Sequence, residues 1–213
     1  MRGNSEALSV LIKIGAKVEG WSSYKNDPLY VAAFNGHQDC VQALLATGVP
    51  IITGTKHGFS ALNCAAQNGH VEILQYLLHQ GVSVHAESSP FGGTPLLAAA
   101  RNGQLACMLA LLDAGADMNR PDCDGEIALY YAARCGELAA LELLLACGAK
   151  VQGWSSCESD PLCIAAVNGH LACGQALLAA STPIATGRKY GYSALNRGAL
   201  AAWTFPSPKK HLC

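Results

Sequence analysis

Small and apolar residues recur in a fixed order along this chain, separated by polar residues and glycines. Each copy of the pattern has an alanine pair, a glycine, a leucine pair and, in most copies, a second glycine. The alanine pairs, at spacings of 33, 34, 33 and 33 residues, begin at Ala32, Ala65, Ala99, Ala132 and Ala165. A strict period of this length is typical of repeat proteins, in which each copy forms one structural unit.

Each copy predicts two short antiparallel helices and a turn-rich finger. The first helix begins at a capping residue followed by proline, as at Asp27, Thr94 and Asp160. There the side-chain oxygen accepts an N–H that the helix leaves free, and proline loses nothing at the first helical position. Ser60 offers a weaker start of the same kind. Ile127 cannot cap, so its helix should lack about 1 kcal/mol of this stabilisation.

Glycines are positioned to end the helices, because glycine adopts the left-handed conformation at little cost. The second helix carries apolar residues at helical spacing, as at Val71, Leu74 and Leu77. Neither helix can bury this face alone, whereas stacked copies can, with the alanines allowing helices to approach to about 8–10 Å. The pattern therefore predicts an all-α repeat solenoid.

These motifs resemble the ankyrin repeat, most closely at Asp122 to Gly125 and at the run from Gly93 to Leu96. The resemblance implies stacked helix-turn-helix units with β-hairpin or loop fingers. One departure is systematic, since the histidine of the family's TPLH motif is replaced by Tyr30, Asn63, Leu97, Tyr130 and Cys163. The family pattern implies that this histidine ties neighbouring turns by hydrogen bonds, so we expect a softer array that has lost them.

The period assigns an ankyrin-like array to residues 1–200 and a divergent tail to residues 201–213, whose prolines forbid a continuing helix. A partial repeat occupies residues 1–18, and another occupies residues 185–200. The full repeats are expected at about 19–51, 52–84, 85–118, 119–151 and 152–184. Because both ends fall within a repeat, we expect this chain to be a fragment of a longer protein.

A longer period is superimposed on the repeats. Residues 15–63 and 148–196 share 32 identities in 49 positions, and the matches include Trp21 and Trp154 before the fingers. One interpretation is a recent duplication of a four-repeat block. The other is a pair of equivalent contacts for a repeated or long ligand.

Composition and charge exclude several classes of function. Fourteen basic and 15 acidic side chains leave a net charge of −1, which gives no positive field for a nucleic-acid backbone. No apolar run approaches the roughly 20 residues that span a bilayer, and the N-terminus lacks a secretory signal. No nucleophile elbow, phosphate-binding loop or zinc-protease motif occurs. We expect a non-catalytic, intracellular and cytoplasmic protein that binds neither nucleic acid nor membrane and needs no cofactor.

The ten cysteines form no CxxC pair, and we interpret them as free thiols of a reducing compartment. Cys40, Cys107 and Cys173 are predicted in the core, whereas Cys123 and Cys157 are predicted exposed on fingers. Equivalent histidines stand at least one repeat apart, and adjacent copies about 10 Å from each other are too far apart to share a metal ion. Structural hydrogen bonding at the start of the second helix is expected for His37, His70 and His170.

A binding surface is the activity best supported by the sequence. In an ankyrin-like stack, fingers and the exposed side of the first helices line a concave face, and exposed aromatic and basic residues anchor partners. The predicted contacts form a mildly basic, aromatic strip for a protein segment. They are Trp21, Tyr24, Lys25, His57, Phe59, Phe91, Arg101, Arg134, Trp154, Arg188, Lys189, Tyr190 and Tyr192.

Three functions remain open on the sequence. The leading one is a monomeric, non-catalytic protein–protein interaction scaffold. The second is a recognition or regulatory array belonging to a larger enzyme or channel. The third is a cysteine-based redox sensor.

Overall fold

Helices account for all the regular secondary structure in the part of the chain that the computed structural model describes, which comprises residues 6, 10, 11, 14, 27–48, 61–87, 93–151 and 160–180. They run in chain order as α1 (Pro28–Phe34), α2 (Gln38–Ala46), α3 (Ala61–Asn68), α4 (Val71–His79), α5 (Pro95–Arg101), α6 (Leu105–Asp113), α7 (Ala128–Cys135), α8 (Leu138–Ala146), α9 (Pro161–Val167) and α10 (Leu171–Ala180). Each predicted full repeat thus contributes one pair of short helices.

The chain divides into two compact units. Unit 1 comprises Met1–Ala99 and Gln104–Asp117, and unit 2 comprises Ala100–Gly103 and Met118–Cys213. In unit 1, α1 packs against α2 and α3, and α4 packs against α2, α3 and α6. In unit 2, α7 packs against α8 and α9, and α10 packs against the same two helices. First helices therefore stack on first helices and second helices on second helices, which confirms the predicted all-α repeat solenoid.

The residues that define the period form the core. The second alanine of each pair is fully buried or nearly so, and the first leucine of each pair is completely buried. These leucines are Leu44, Leu77, Leu111, Leu144 and Leu177. The second leucine of each pair stays partly exposed. Small residues on the first helices and buried large residues on the second helices therefore make close stacking possible.

The helix starts follow the predicted capping residues. Asp27 accepts hydrogen bonds from the N–H groups of Leu29 and Tyr30, at 2.9 and 3.3 Å, and Asp160 accepts one from Leu162 at 2.9 Å. Thr94 accepts one from Leu97 at 3.4 Å. Ile127 makes no capping bond, as expected. The serine predicted to start α3 lies outside the described residues.

The helix ends also follow prediction. The glycine after each first helix and, where present, after each second helix has a positive φ, and no other residue type does so within the described residues. The φ angles of Gly36 and Gly136, for example, are 74° and 77°. Left-handed backbone at these positions reverses the chain between the two helices of a pair.

Candidate interaction surface

One exposed position recurs on the first helix of every repeat. It directly follows the alanine pair, where the helix turns its next side chain about 100° away from the buried alanines. We call these five residues the variable register, because the residue type changes from repeat to repeat. Its members are Phe34, Gln67, Arg101, Arg134 and Val167.

In unit 1 the variable register is aromatic and polar. Phe34 is 42% exposed and stacks on Tyr30 of the same helix, with ring centroids 6.0 Å apart. Val31, one turn before Phe34, is also exposed. An aromatic ring held by a stacked neighbour loses little conformational freedom when a partner covers it.

In unit 2 the variable register holds two arginines and Val167. Arg101, Arg134 and Val167 are all exposed, and Val167 is 61% exposed. Among the described residues, neither guanidinium forms a hydrogen bond or an ion pair. Both charges are thus available to an external group.

The finger between α6 and α7 is described in full and closes as a tight turn. The Gly125 N–H donates to the Asp122 carbonyl at 3.1 Å, and the Asp122 N–H donates to the Glu126 carbonyl at 3.0 Å. The Asp122 carboxylate also accepts from the N–H groups of Asp124 and Glu126, at 3.0 and 2.9 Å. These bonds describe a three-residue hairpin loop with glycine in the left-handed position. No strand flanks the turn among the described residues, so the predicted β-hairpin finger is present here only as its loop.

A tyrosine of α7 holds this acidic finger against the helix. The Tyr131 hydroxyl donates to Asp122 at 2.7 Å, and the Tyr130 ring packs edge-to-face on that of Tyr131, with ring centroids 5.7 Å apart. Burial raises the pKa of Tyr130 to about 12, and burial together with the Asp122 carboxylate raises the pKa of Tyr131. The Tyr131 hydroxyl stays protonated near neutral pH and keeps donating to Asp122, so this finger is anchored although α7 lacks a cap.

Side chains at the start of each second helix tie it to the preceding repeat. His70 Nε2 lies 3.1 Å from the Phe34 carbonyl oxygen, and His170 Nε2 lies 3.0 Å from that of Arg134. A carbonyl only accepts, so each Nε2 carries the proton. The predicted structural hydrogen bonding is confirmed for these two histidines. The bond runs to the neighbouring repeat, and neither side chain caps its own helix.

The side chain at this position also covers the glycine that ends the first helix of the neighbouring repeat. The His70 ring lies over Gly36 and the His170 ring over Gly136, while Gln104 occupies the equivalent place over Gly69 and Glu137 over Gly103. The sequence signal is a glycine paired with a polar residue about one repeat later.

One inter-repeat bond expected to be lost is in fact present. Asn63 occupies a place where the family has histidine, and its buried side chain donates through Nδ2 to the Gly93 carbonyl at 2.9 Å. The amide reaches the finger that precedes the next repeat. The expectation that all such bonds are missing is therefore wrong at Asn63, because asparagine offers a donor of adequate reach.

The cysteines divide as predicted between core and finger. Cys40, Cys107 and Cys173 are buried, and so is Cys64, whereas Cys123 is exposed. Burial raises the pKa of each of these buried thiols, to about 12 for Cys64 and about 11 for Cys107. They are therefore protonated and poor nucleophiles at neutral pH.

Cys163 departs from the expectation of free thiols. Seven of the described cysteines are free, and Cys163 is disulfide-bonded. A redox role for the core thiols finds no support in their burial and raised pKa. Cys157, the other thiol predicted to be exposed, lies outside the described residues.

Two of the predicted partner contacts fall in the described structure. Arg101 and Arg134 are exposed at equivalent positions of α5 and α7. The remaining predicted contacts lie outside the described residues and stay predictions: Trp21, Tyr24, Lys25, His57, Phe59, Phe91, Trp154, Arg188, Lys189, Tyr190 and Tyr192. Phe34, Gln67 and Val167 were missed, although their place directly after the alanine pair identifies them.

Comparison with known proteins agrees with this architecture. A family model described as ankyrin repeats (3 copies) matches residues 1–88 and 65–153. The chain belongs to the ankyrin repeat family, whose members generally serve as protein–protein interaction modules and are typically non-catalytic. A search of curated proteins found no match.

Among the described residues, no helix is long and apolar enough to cross a bilayer. The same part of the chain contains no group of three or more histidine, cysteine or acidic side chains arranged to hold a metal ion.

Proposed function

We propose that this chain is a non-catalytic scaffold that binds a partner protein along its first helices and finger tips. In ankyrin-type stacks these parts line one concave face. The predicted finger contacts, including Trp21 and Trp154, belong to the same proposed surface.

The variable register carries this proposal. Buried alanines precede it and a helix-ending glycine follows it in every repeat, so the scaffold is held constant on both sides. The register itself is exposed and contains Phe34, Gln67, Arg101, Arg134 and Val167 in turn. A repeat protein recognises its partner through exposed residues that differ from repeat to repeat, while the residues of the scaffold stay the same.

Affinity purification with matched variants tests the proposal. One variant replaces all five residues of the variable register by alanine. The control variant replaces exposed residues of the second helices by alanine, namely Glu72, Gln75, Glu142 and Gln175. Proteins captured by the wild-type chain are identified by mass spectrometry, purified and titrated against all three forms.

We expect a partner whose affinity falls at least tenfold with the register variant and stays within twofold with the control. A register change of this kind removes several contacts of about 1 kcal/mol each. Partners that bind all three forms equally would place recognition elsewhere and refute the proposed surface.

The proposal includes a monomeric state and a reducing, cytoplasmic location. The seven free thiols among the described residues support that location, whereas the disulfide at Cys163 argues for an oxidising one. Light scattering of the purified chain measures its mass. Thiol quantification in cells kept under alkylating lysis establishes whether Cys163 is oxidised there.

A further inference from the structure

In unit 2 the variable register places three exposed side chains one repeat apart. Arg101 and Val167 are the last residues of α5 and α9, and Arg134 is the next-to-last residue of α7. α7 packs directly against α9, and the Glu137 side chain covers Gly103 just after α5. Packed helices stand about 8–10 Å apart, so Arg134 and Val167 are separated by about that distance, and the approach of Glu137 to Gly103 indicates a similar step from Arg101 to Arg134.

Neither arginine of this row is paired with an acidic side chain among the described residues. The Asp122 carboxylate accepts hydrogen bonds from two backbone N–H groups and from Tyr131, but these donors are neutral and its negative charge remains. Glu137, whose side chain covers Gly103, forms no ion pair with either arginine among the described residues. The row therefore presents two available positive charges followed by an apolar side chain.

The spacing also selects a conformation for the ligand. A polyproline II segment rises about 3.1 Å per residue with three residues per turn. Every third side chain then points the same way, about 9 Å from the last one, which matches the repeat spacing. A β-strand alternates its side chains every two residues, so its third residue would point away from the surface.

We propose that the Arg101, Arg134 and Val167 row binds an acidic partner segment in the polyproline II conformation. Carboxylates spaced three residues apart contact the two guanidiniums, and an apolar side chain three residues further on contacts Val167. This inference rests on the proposed scaffold function and specifies the chemistry of one part of the partner.

Synthetic peptides provide a direct test with the full chain. The probe is PLPPDPPDPPLP, which reads the same in both directions and places its acids three residues apart. Controls are the neutral peptide PLPPNPPNPPLP and PLPPDPDPPPLP, whose acids are two residues apart. Fluorescence anisotropy at low and high salt measures binding of labelled peptides, with a ten-nucleotide oligouridine as a competing polyanion.

We expect the probe to bind about fivefold more tightly than either control peptide at low salt, because two exposed ion pairs contribute modestly and are screened by salt. Arg101→Glu and Arg134→Glu should each abolish most of that advantage. Lys150→Glu, an equal charge change at another exposed position, should preserve it within twofold. Glu137→Gln should raise probe affinity about twofold, and Gln104 over Gly69 shows that glutamine fits this place.

Three results would overturn the inference. They are equal binding of the probe and either control peptide, an unchanged advantage in both arginine variants, and tighter binding of oligouridine than of the probe. If one of these occurs while a captured partner still depends on the variable register, only this inference fails. If partner capture is also independent of the register, the scaffold proposal fails as well.

Discussion

At the scale of single residues, the stack depends on contacts between a left-handed glycine and a side chain from the next repeat. A β-carbon at Gly136 would lie 2.5 Å from Nδ1 and 2.7 Å from Cε1 of His170. The histidine also binds the Arg134 carbonyl. Glycine is thus needed here because it adopts the left-handed conformation and because it leaves room for the His170 ring. The polar ring of His170 in turn makes the hydrogen bond between the repeats.

Gly136→Ala should therefore destabilise the protein more than Gly148→Ala. Both glycines have positive φ, 77° and 88°, and each substitution costs about 1–2 kcal/mol for the backbone alone. No described atom would lie within 4 Å of a β-carbon at Gly148, whereas at Gly136 the His170 ring must move and lose a bond of about 1 kcal/mol. Urea denaturation measures the difference.

Combining Gly136→Ala with His170→Ala provides the control. The two changes should cost less together than the sum of each alone, because removal of the ring relieves the clash. Equal destabilisation by Gly136→Ala and Gly148→Ala would contradict the assignment of His170 as the covering residue.

At the scale of helices, α7 shows how burial replaces a missing cap. The cap position holds Ile127, which is only 2% exposed, so the apolar side chain contributes to the core. Tyr131 of the same helix donates a hydrogen bond to Asp122 in the finger that precedes it. The sequence correctly identified the missing cap, but the compensating contacts depend on side chains that meet only in the folded protein.

Ile127→Asp should destabilise the protein although it installs the capping residue found before α1 and α9. A new cap contributes about 1 kcal/mol, whereas removal of a buried isoleucine costs about 2–3 kcal/mol and the carboxylate loses solvation. We expect a net loss of at least 1 kcal/mol by chemical denaturation. Asp160→Ala is the comparison and should cost about 1 kcal/mol; a stabilised Ile127→Asp variant would show that the cap outweighs burial.

At the scale of the whole molecule, buried thiols link stability to pH. A thiol has an ordinary pKa of 9.0, and burial raises the pKa of Cys64 to about 12 and that of Cys107 to about 11. Above pH 9 the unfolded chain releases these protons while the folded chain retains them. Unfolding is therefore favoured as pH rises from 9 towards 11 or 12, and these groups have no such effect below pH 9.

The free energy of unfolding should fall over this range by up to about 1.4 kcal/mol per pH unit for each thiol. The Cys64→Ala and Cys107→Ala double variant should be less stable at pH 8 but should lose stability less steeply between pH 9 and 10.5. Cys147→Ala, at an exposed thiol, serves as the control and should keep the wild-type slope. Parallel pH profiles of the double variant and the wild type would refute the contribution of these thiols.

The periodic sequence is enough to predict the helix pairs, their caps and the core of this protein. Periodic alanines, leucines and glycines such as Ala133, Leu144 and Gly136 have local roles, so their positions in the chain predict what they do. The same period identified the family and placed Arg101 and Arg134 on an exposed face.

Which residues meet across repeats depends on how the helices pack. His170 over Gly136, Asn63 on the Gly93 carbonyl and Tyr131 on Asp122 each depend on the angle and distance at which separate segments approach. Sequence spacing specifies local conformation, but side-chain reach between neighbours is set by packing, and that geometry produced the proposed binding row.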